Sequence, residues 1–262
     1  MIDVERLFQL PGFTGRLFGT LAGDEPRVLL LHGFTGDGRD WAPWSDDRPT
    51  ALAIDLPGHG GSQDPIVGFA EEIERLLNAL PPSIDQVIGY SLGGRIALSL
   101  LAVAPERFRA ATILSAHPGL VNADQRAARR AADLCWIELL RTQGIAAFVD
   151  AWERQPLFAT QAALPPTVLE TWRARRLGQR AEGLANNLAC FGLAEMPETW
   201  TALSRWSGRL RWLVGALDSK FAAIAEQVLR QCPEVELHRI EQVGHNLLLE
   251  APQAVLCIGV DR

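Results

Sequence analysis

Short, nearly continuous apolar runs recur along the chain and constrain its fold more than any other feature. Runs without polar alternation suit a sheet that is buried on both faces, as parallel sheets are. Stretches with helical spacing lie between them, and a last helix is predicted to begin near Asn246. This alternation predicts an α/β fold with a mostly parallel central sheet flanked by helices. The predicted strands are 27–32, 51–54, 86–90, 110–115, 210–215 and 235–240, and the predicted helices are 68–80, 92–104 and 219–231.

Two regions depart from this alternation. Segments 5–10 and 16–21 are predicted to pair as an N-terminal hairpin around the turn PGFTG. Between Pro118 and Gly208 the patterns are helical, without a convincing strand. We therefore predict a core of residues 1–117 and 209–262 with a helical cap, 118–208, inserted after the sixth strand. Five tryptophans are predicted to pack the cap's own small core: Trp136, Trp152, Trp172, Trp200 and Trp206.

Composition restricts the classes of partner. The chain has 262 residues, 48% of them hydrophobic, which is enough for one large core. Its net charge of −6 argues against nucleic acid or an anionic membrane as the main partner. No apolar run approaches the roughly 20 residues that span a bilayer. The N-terminal MIDVERLFQL lacks the basic start and apolar core of a signal peptide, so we expect a cytoplasmic protein, as a monomer or small homo-oligomer.

The cysteines do not predict a metal site or a disulfide framework. They are widely scattered and form no CxxC or Cys/His ligand spacing, so no metal is expected. We interpret them as buried free thiols, because an unpaired cysteine behaves as a small hydrophobe. The four positions are Cys135, Cys190, Cys232 and Cys257.

The segment GYSLG, residues 89–93, matches the G-x-S-x-G nucleophile elbow. A sharp turn from strand to helix needs small neighbours, here Gly89 and Gly93, and it raises the Ser91 hydroxyl above the sheet. The following helix directs its first N–H groups to the same place and favours negative charge there. The apolar residues before the motif and the helical pattern after it supply the context that the motif requires.

A serine nucleophile needs a base, and the base needs an orienting acid. His245, in the loop QVGHN after the last predicted strand, is the candidate base. Asp218 follows the preceding strand in LRWLVGALDSKF and is the candidate acid, although a helix N-cap would also explain an aspartate there. The alternative acid position, one strand earlier, ends in ILSAHPG without a nearby carboxylate.

The remaining component is a site for an oxyanion. HGF, residues 32–34, follows a strand, so the Phe34 N–H on its tight loop and the Leu92 N–H would form an oxyanion hole. The turn-rich DLPGHGGS, residues 55–62, is interpreted as scaffolding. Arg95, one helical turn after Ser91, has two interpretations: it binds an anion above the serine, or it is a surface arginine paired with an acid.

The chain resembles the α/β-hydrolase superfamily over essentially its whole length, through HGFTG, DLPGHGGS, GYSLGG, GALDSKF and VGHN in the expected order. Within it, the chain resembles the 2-succinyl-6-hydroxy-2,4-cyclohexadiene-1-carboxylate synthases of menaquinone and phylloquinone biosynthesis. The segments that carry this resemblance are HGFTGDGRDW, GYSLGGR, AHPGL with RAARR following, EGLANNL, LDSKF and GHN. The family eliminates pyruvate from 2-succinyl-5-enolpyruvyl-6-hydroxy-3-cyclohexene-1-carboxylate and uses no metal or organic cofactor.

The resemblance implies further site residues. The family's substrate carries three carboxylates, which favours the anion-binding role for Arg95. Arg129 and Arg176 match the family's cap arginines, although Arg173 and Arg175 are close neighbours of Arg176. Three more positions match residues that line the family's pocket, with plain packing as the alternative for each: Tyr90, Trp152 and Phe158.

The resemblance therefore implies a lyase that acts on a small polycarboxylate by proton abstraction. The same serine, histidine and aspartate are equally compatible with a carboxylester or thioester hydrolase that forms an acyl-enzyme. A non-catalytic binding module of the same fold is a third alternative, which the intact Ser, Asp, His order disfavours.

Overall fold

The computed structural model describes residues 6–19, 25–44 and 48–258. Eight strands form one sheet in the order β1-β2-β4-β3-β5-β6-β7-β8. β1 and β2 are antiparallel to each other and β2 is antiparallel to β4, whereas the other neighbours are parallel. The predicted mostly parallel sheet is confirmed. The strands are β1 Leu7–Leu10, β2 Phe13–Phe18, β3 Val28–Leu31, β4 Ala51–Ile54, β5 Gln86–Tyr90, β6 Ala110–Leu114, β7 Arg209–Gly215 and β8 Glu236–Ile240.

The helices flank the sheet, and none within the described ranges is long and apolar enough to cross a membrane. The longest, α3, is kinked at Gly144, whose φ is 77°. Two 3-10 segments, Gly38–Trp41 and Pro156–Ala163, complete the set. The α-helices are α1 Phe69–Ala79, α2 Leu92–Val103, α3 Ala123–Glu153, α4 Pro166–Leu177, α5 Ala181–Phe191, α6 Trp200–Arg205, α7 Ser219–Gln231, α8 Leu247–Glu250 and α9 Pro252–Ile258.

The predictions of the N-terminal hairpin and of the last helix each need one correction. The hairpin turn is shorter than PGFTG, because Phe13 already pairs with Leu10 and Gly12 takes the left-handed conformation at φ 82°. Residues 5, 20 and 21 of the predicted hairpin lie outside the described residues. The last helix begins after Asn246 but stops at Glu250, since the residue before Pro252 is disfavoured in a helix.

Two apolar clusters cover the two faces of the sheet. In β3, Leu29 and Leu31 belong to one cluster, and Val28 and Leu30 belong to the other. Alternate residues of a strand point to opposite faces, so both faces of this strand are buried. This explains why the central strands have continuous apolar runs and show no alternation.

The chain between β6 and β7 contains α3 to α6, which we call the insertion. Part of it has its own apolar cluster, built from α3 and α5, and Trp136 and Trp152 pack there. The other three tryptophans pack against the clusters of the sheet, so the prediction for them was wrong: Trp172, Trp200 and Trp206. The reason is that α4 and the end of the insertion also lie on the core, where Arg175 of α4 contacts the Arg39 carbonyl and the Trp206 indole donates to the carbonyl of Pro105.

The four cysteines are free, but the prediction that they are buried was wrong. Cys135 and Cys257 are exposed, and Cys190 and Cys232 are half-buried. Each lies in or at the end of a helix: Cys135 and Cys257 face solvent, and Cys190 and Cys232 pack, partly buried, against the larger cluster of the sheet. Position on the helix face therefore outweighs the general preference of cysteine for the interior.

Candidate active site

Ser91 lies in a strained turn between β5 and α2. Its φ of 51° and ψ of −104° are unusual for a residue with a side chain. The turn is tight: a Cβ at Gly89 would lie 2.3 Å from the carbonyl oxygen of Gly93. A Cβ at Gly93 would lie 2.3 Å from the carbonyl oxygen of Leu31. Glycine is therefore required at both positions, which is the physical content of the G-x-S-x-G pattern.

The three predicted triad residues meet at the carboxyl edge of the sheet. His245 Nε2 lies 3.1 Å from the Ser91 hydroxyl oxygen, and His245 Nδ1 lies 2.7 Å from Asp218 Oδ2. Asp218 is also the N-cap of α7, because its Oδ1 accepts the Phe221 N–H at 3.2 Å. The two interpretations of this aspartate are therefore compatible, since one oxygen serves each contact.

The loop after β3 brings a second backbone donor to Ser91. Phe34 and Leu92 both line the cavity above the serine, and no described residue accepts a hydrogen bond from either N–H. The adjacent Thr35 has φ 71°, and its N–H donates to His59 Nε2 at 3.2 Å. The loop is thus fixed from outside the cavity. The free N–H groups of Phe34 in this loop and of Leu92 in α2 are available to a ligand.

The DLPGHGGS segment supports this loop, as its interpretation as scaffolding predicted. The buried Asp55 carboxylate accepts the N–H groups of Gly38 and Gly61, at 2.8 and 2.9 Å, and pairs with Arg16. His59 is fully buried, and burial and the adjacent His32 hold its pKa well below the usual value. It is therefore neutral and accepts the Thr35 N–H.

A cavity of about 370 Å³ opens above Ser91 and His245. Aromatic rings form much of its wall, including those of Tyr90, Trp152 and Phe158. The Trp152 ring lies 5.8 Å from that of Phe158, which lies 6.3 Å from the His245 ring. All three predicted pocket aromatics therefore border the reacting groups, and each also packs against neighbours.

One group of cations enters the cavity from α2, α3 and α7. Arg95 is half-buried, and its Nη1 donates to the Phe191 carbonyl at 2.6 Å. Burial, together with the nearby Arg129, lowers the pKa of Arg95 to about 9, so its charge is poorly compensated. Arg129 pairs with Asp133 at 2.9 Å. An anionic ligand would relieve this excess of positive charge.

A second group comes from α4. Arg176 is almost fully buried, lines the cavity and pairs with Glu153 at 2.7 Å. Arg175 also lines the cavity, whereas Arg173 points away from it and pairs with Asp150 and Glu153. The structure therefore brings two of the three neighbouring arginines to the site.

The titratable cavity residues that were not identified from the sequence include Asp40, His117, Asp133 and Lys220, whereas Arg175 was named only as a neighbour of Arg176. Lys220 is the only lysine of the chain, and burial and Arg129 lower its pKa. Burial, with Lys220 and two arginines, lowers the pKa of His117 to about 4. The only lysine of the chain, two residues after the candidate acid, was the one sequence signal that could have revealed the position of Lys220. Within the described residues, no group of three or more His, Cys, Asp or Glu could hold a metal ion.

Comparison with known proteins agrees with this geometry. The alpha/beta hydrolase family matches residues 28–256. The 2-succinyl-6-hydroxy-2,4-cyclohexadiene-1-carboxylate synthase of Salmonella heidelberg (strain SL476) is 37% identical over 238 residues, which cover 88% of this chain and 91% of that protein. The synthase of Salmonella paratyphi C (strain RKS4594) is 35% identical over 237 residues, with the same coverage.

Solved structures give the same result. The structure of MenH from S. aureus has a TM-score of 0.86 and 27% identity, and the match covers 94% of this chain and 96% of that one. A thermophilic esterase from Thermogutta terrifontis has a TM-score of 0.76 and 23% identity over 96% and 93% of the two chains. The esterase shares the fold, and at this identity only the fold is compared.

Proposed function

We propose catalytic roles for residues of this chain, which belongs to the alpha/beta hydrolase family. Within that family it belongs to the 2-succinyl-6-hydroxy-2,4-cyclohexadiene-1-carboxylate synthases. The protein is a carbon–oxygen lyase of menaquinone biosynthesis. It eliminates pyruvate from 2-succinyl-5-enolpyruvyl-6-hydroxy-3-cyclohexene-1-carboxylate. One observation supports the residue assignments above all others: Ser91 and His245, hydrogen-bonded to each other and through His245 to Asp218, line a cavity that several guanidinium groups enter.

The reaction starts with removal of the proton on ring carbon 2, which is alpha to the succinyl ketone. In our proposal Asp218 holds the His245 ring, and His245 takes the proton of the Ser91 hydroxyl. Ser91 then acts as the base toward carbon 2. The 3.1 Å contact between His245 Nε2 and the hydroxyl oxygen fits this relay. The alternative, in which His245 takes the carbon-bound proton directly, uses the same three residues.

Charge then develops on the ketone oxygen as the carbon–hydrogen electron pair moves into an enolate. The N–H groups of Phe34 and Leu92 are proposed to donate to that oxygen, each contributing about 3 kcal/mol. When the enolate collapses, a double bond forms between carbons 2 and 3, and the electron pair of the double bond between carbons 3 and 4 moves to form a double bond between carbons 4 and 5. The bond from carbon 5 to oxygen breaks, and the expelled enolpyruvate takes up a proton to become pyruvate.

The substrate has three carboxylates, and the cavity supplies cations for them. Arg95, Arg129 and Arg176 are the proposed ligands, and a charge-assisted hydrogen bond contributes about 1.5–3 kcal/mol. Tyr90, Trp152 and Phe158 are proposed to pack against the ring. We further propose a division into a core (1–117 and 209–262) and a cap (118–208), and a cytoplasmic enzyme that works as a monomer or small homo-oligomer.

A single assay separates the lyase from the hydrolase alternative. Pyruvate release from the enolpyruvyl substrate is followed through lactate dehydrogenase, and hydrolysis of p-nitrophenyl acetate is measured on the same sample. The lyase is expected to release pyruvate rapidly and to cleave the ester barely at all. Rapid ester hydrolysis without pyruvate release would overturn the proposal.

A further inference from the structure

Helix α4 presents two consecutive arginines to the cavity, and the second of them, Arg176, already has a proposed role. Arg175 and Arg176 both line the cavity. The Arg176 side chain is 7% exposed and firmly paired with Glu153, whereas the Arg175 side chain is 26% exposed. Adjacent residues of a helix point about 100° apart. The two guanidinium groups therefore approach the cavity along different directions and do not duplicate each other.

Arg175 is only weakly held by the protein. Its Nη1 lies 3.4 Å from Asp40 Oδ1 and 3.3 Å from the Arg39 carbonyl oxygen, near the outer limit of a hydrogen bond. Within the described ranges, Nε and Nη2 of Arg175 make no hydrogen bond. By contrast, Arg176 contacts Glu153 at 2.7 Å. Arg175 therefore has two unused donors on a guanidinium that faces the cavity.

The partner of Arg175 is itself rigid. Asp40 is 5% exposed and lies in the 3-10 segment that directly follows the oxyanion loop. Its Oδ2 packs so closely on Gly36 that a Cβ there would lie 2.1 Å away. Burial, followed by repulsion from Asp37, raises the pKa of Asp40 to about 7. This carboxyl group therefore lies beside one end of the Arg175 guanidinium and compensates only part of its charge.

We propose that Arg175 is a further ligand of a substrate carboxylate and that Asp40 is its positioning residue. The inference rests on the proposed function, because that substrate carries three carboxylates. Arg95 and Arg129 enter the cavity from one group of helices, and Arg175 and Arg176 enter from α4. A guanidinium with Nε and Nη2 free can bind a carboxylate through both oxygens while Nη1 stays on Asp40.

The first test compares Arg175→Ala with Arg154→Ala in the pyruvate-release assay. Arg154, exposed at the end of α3, carries the same charge and does not line the cavity. Loss of Arg175 is expected to raise KM about tenfold with kcat within about threefold, since one such contact contributes at least 1.4 kcal/mol. The control should leave KM and kcat within twofold, and Arg175→Lys should give an intermediate KM.

An unchanged KM for Arg175→Ala, in a wild-type enzyme that releases pyruvate, would overturn this inference alone. Wild-type protein that releases no pyruvate would instead overturn the proposed function, and this inference with it. A fall in kcat without a rise in KM would also contradict a ligand role. Melting temperatures of the variants show whether the fold is retained, and the lysine variant keeps the test valid if the alanine variant is unstable.

The second test addresses Asp40. Asp40→Ala removes the acceptor and should raise KM about threefold. Asp40→Asn keeps an acceptor in place and should leave KM at the wild-type value. In an Arg175→Ala background, Asp40→Ala should change KM no further, because the residue acts through Arg175. Equal effects in both backgrounds would overturn the positioning role. Asp40→Leu, which keeps the branching at Cγ but carries no acceptor, replaces the alanine variant if that variant does not fold.

Discussion

The core and the insertion contribute different kinds of group to the same cavity. The core supplies Ser91, Asp218 and His245 at strand ends, where backbone crowding and hydrogen bonds fix each position. The insertion supplies Arg129 and Arg176, and these are held by carboxylates of the insertion itself. The proposed reacting groups thus belong to the most constrained part of the molecule, and most of the proposed binding groups belong to inserted helices.

This difference predicts how kinetics should divide between the two regions. Groups that act only in the transition state lower kcat when removed, whereas groups that hold the substrate throughout raise KM. Core triad residues should therefore affect kcat, and arginines of the insertion should affect KM. Arg95 is the informative exception, because it is a cation that the core contributes.

The largest expected effect is that of His245→Ala. Without the base, the Ser91 hydroxyl cannot be deprotonated, so kcat for pyruvate release should fall by about three orders of magnitude or more. KM should change only a few-fold, because the cations remain. His238→Asn in β8, which does not line the cavity, is the matched control and should retain activity. A rise in KM for His245→Ala as large as the fall in kcat would contradict the proposed division of kinetic roles between the core and the insertion.

The next effect compares Arg95→Met with Arg176→Met. Each should lower kcat/KM by about one to two orders of magnitude through lost carboxylate binding. Their effects on stability should differ, because no described ion pair includes Arg95, whereas Arg176 pairs with Glu153. Methionine at 95 removes a half-buried, poorly compensated charge and should raise the melting temperature; methionine at 176 should not.

Thermal unfolding monitored by circular dichroism measures this difference. A higher melting temperature for Arg95→Met together with weaker catalysis would mean that the charge is retained for binding at a cost in stability. If both variants melt at or below the wild-type temperature, the excess of positive charge around Arg95 does not destabilise the folded protein.

The core was predictable from the sequence because its constraints are local. Continuous apolar runs indicated the buried strands, and Gly89 and Gly93 indicated the elbow, since no other residue fits their crowded positions. Asp218 and His245 followed from chain order at strand ends. Even the interruption after Glu250 follows from a local feature, the proline at 252.

The insertion was less predictable because its contacts are tertiary. Trp200 and Trp206 pack on the core, and no helical spacing specifies which neighbouring surface a tryptophan meets. Likewise, Arg173 and Arg175 stand two residues apart in α4, yet only Arg175 reaches the cavity. The choice depends on Glu153 and Asp150, which lie about twenty residues earlier in the chain.

The smallest expected effect concerns His117, which lies after β6 where the core meets the insertion. Its Nδ1 accepts the Gly119 N–H at 3.0 Å, which requires a neutral ring, and its pKa is lowered to about 4 by burial and by Lys220, Arg95 and Arg129. The unfolded chain, in which this pKa is about 6.5, binds more protons between pH 4 and 6.5. The free energy of unfolding should therefore fall as pH decreases through this window.

Comparison with His117→Gln isolates the contribution of His117 to the pH dependence, because the carboxyl groups titrate alike in both proteins. Urea unfolding at pH 7 and pH 5 should show that wild type loses about 1.8 kcal/mol more than the variant on acidification. Equal losses would mean that His117 accepts a proton in the folded state as easily as in the unfolded chain. The cations of the two regions would then not converge on this position, and the core and the insertion would be electrostatically independent.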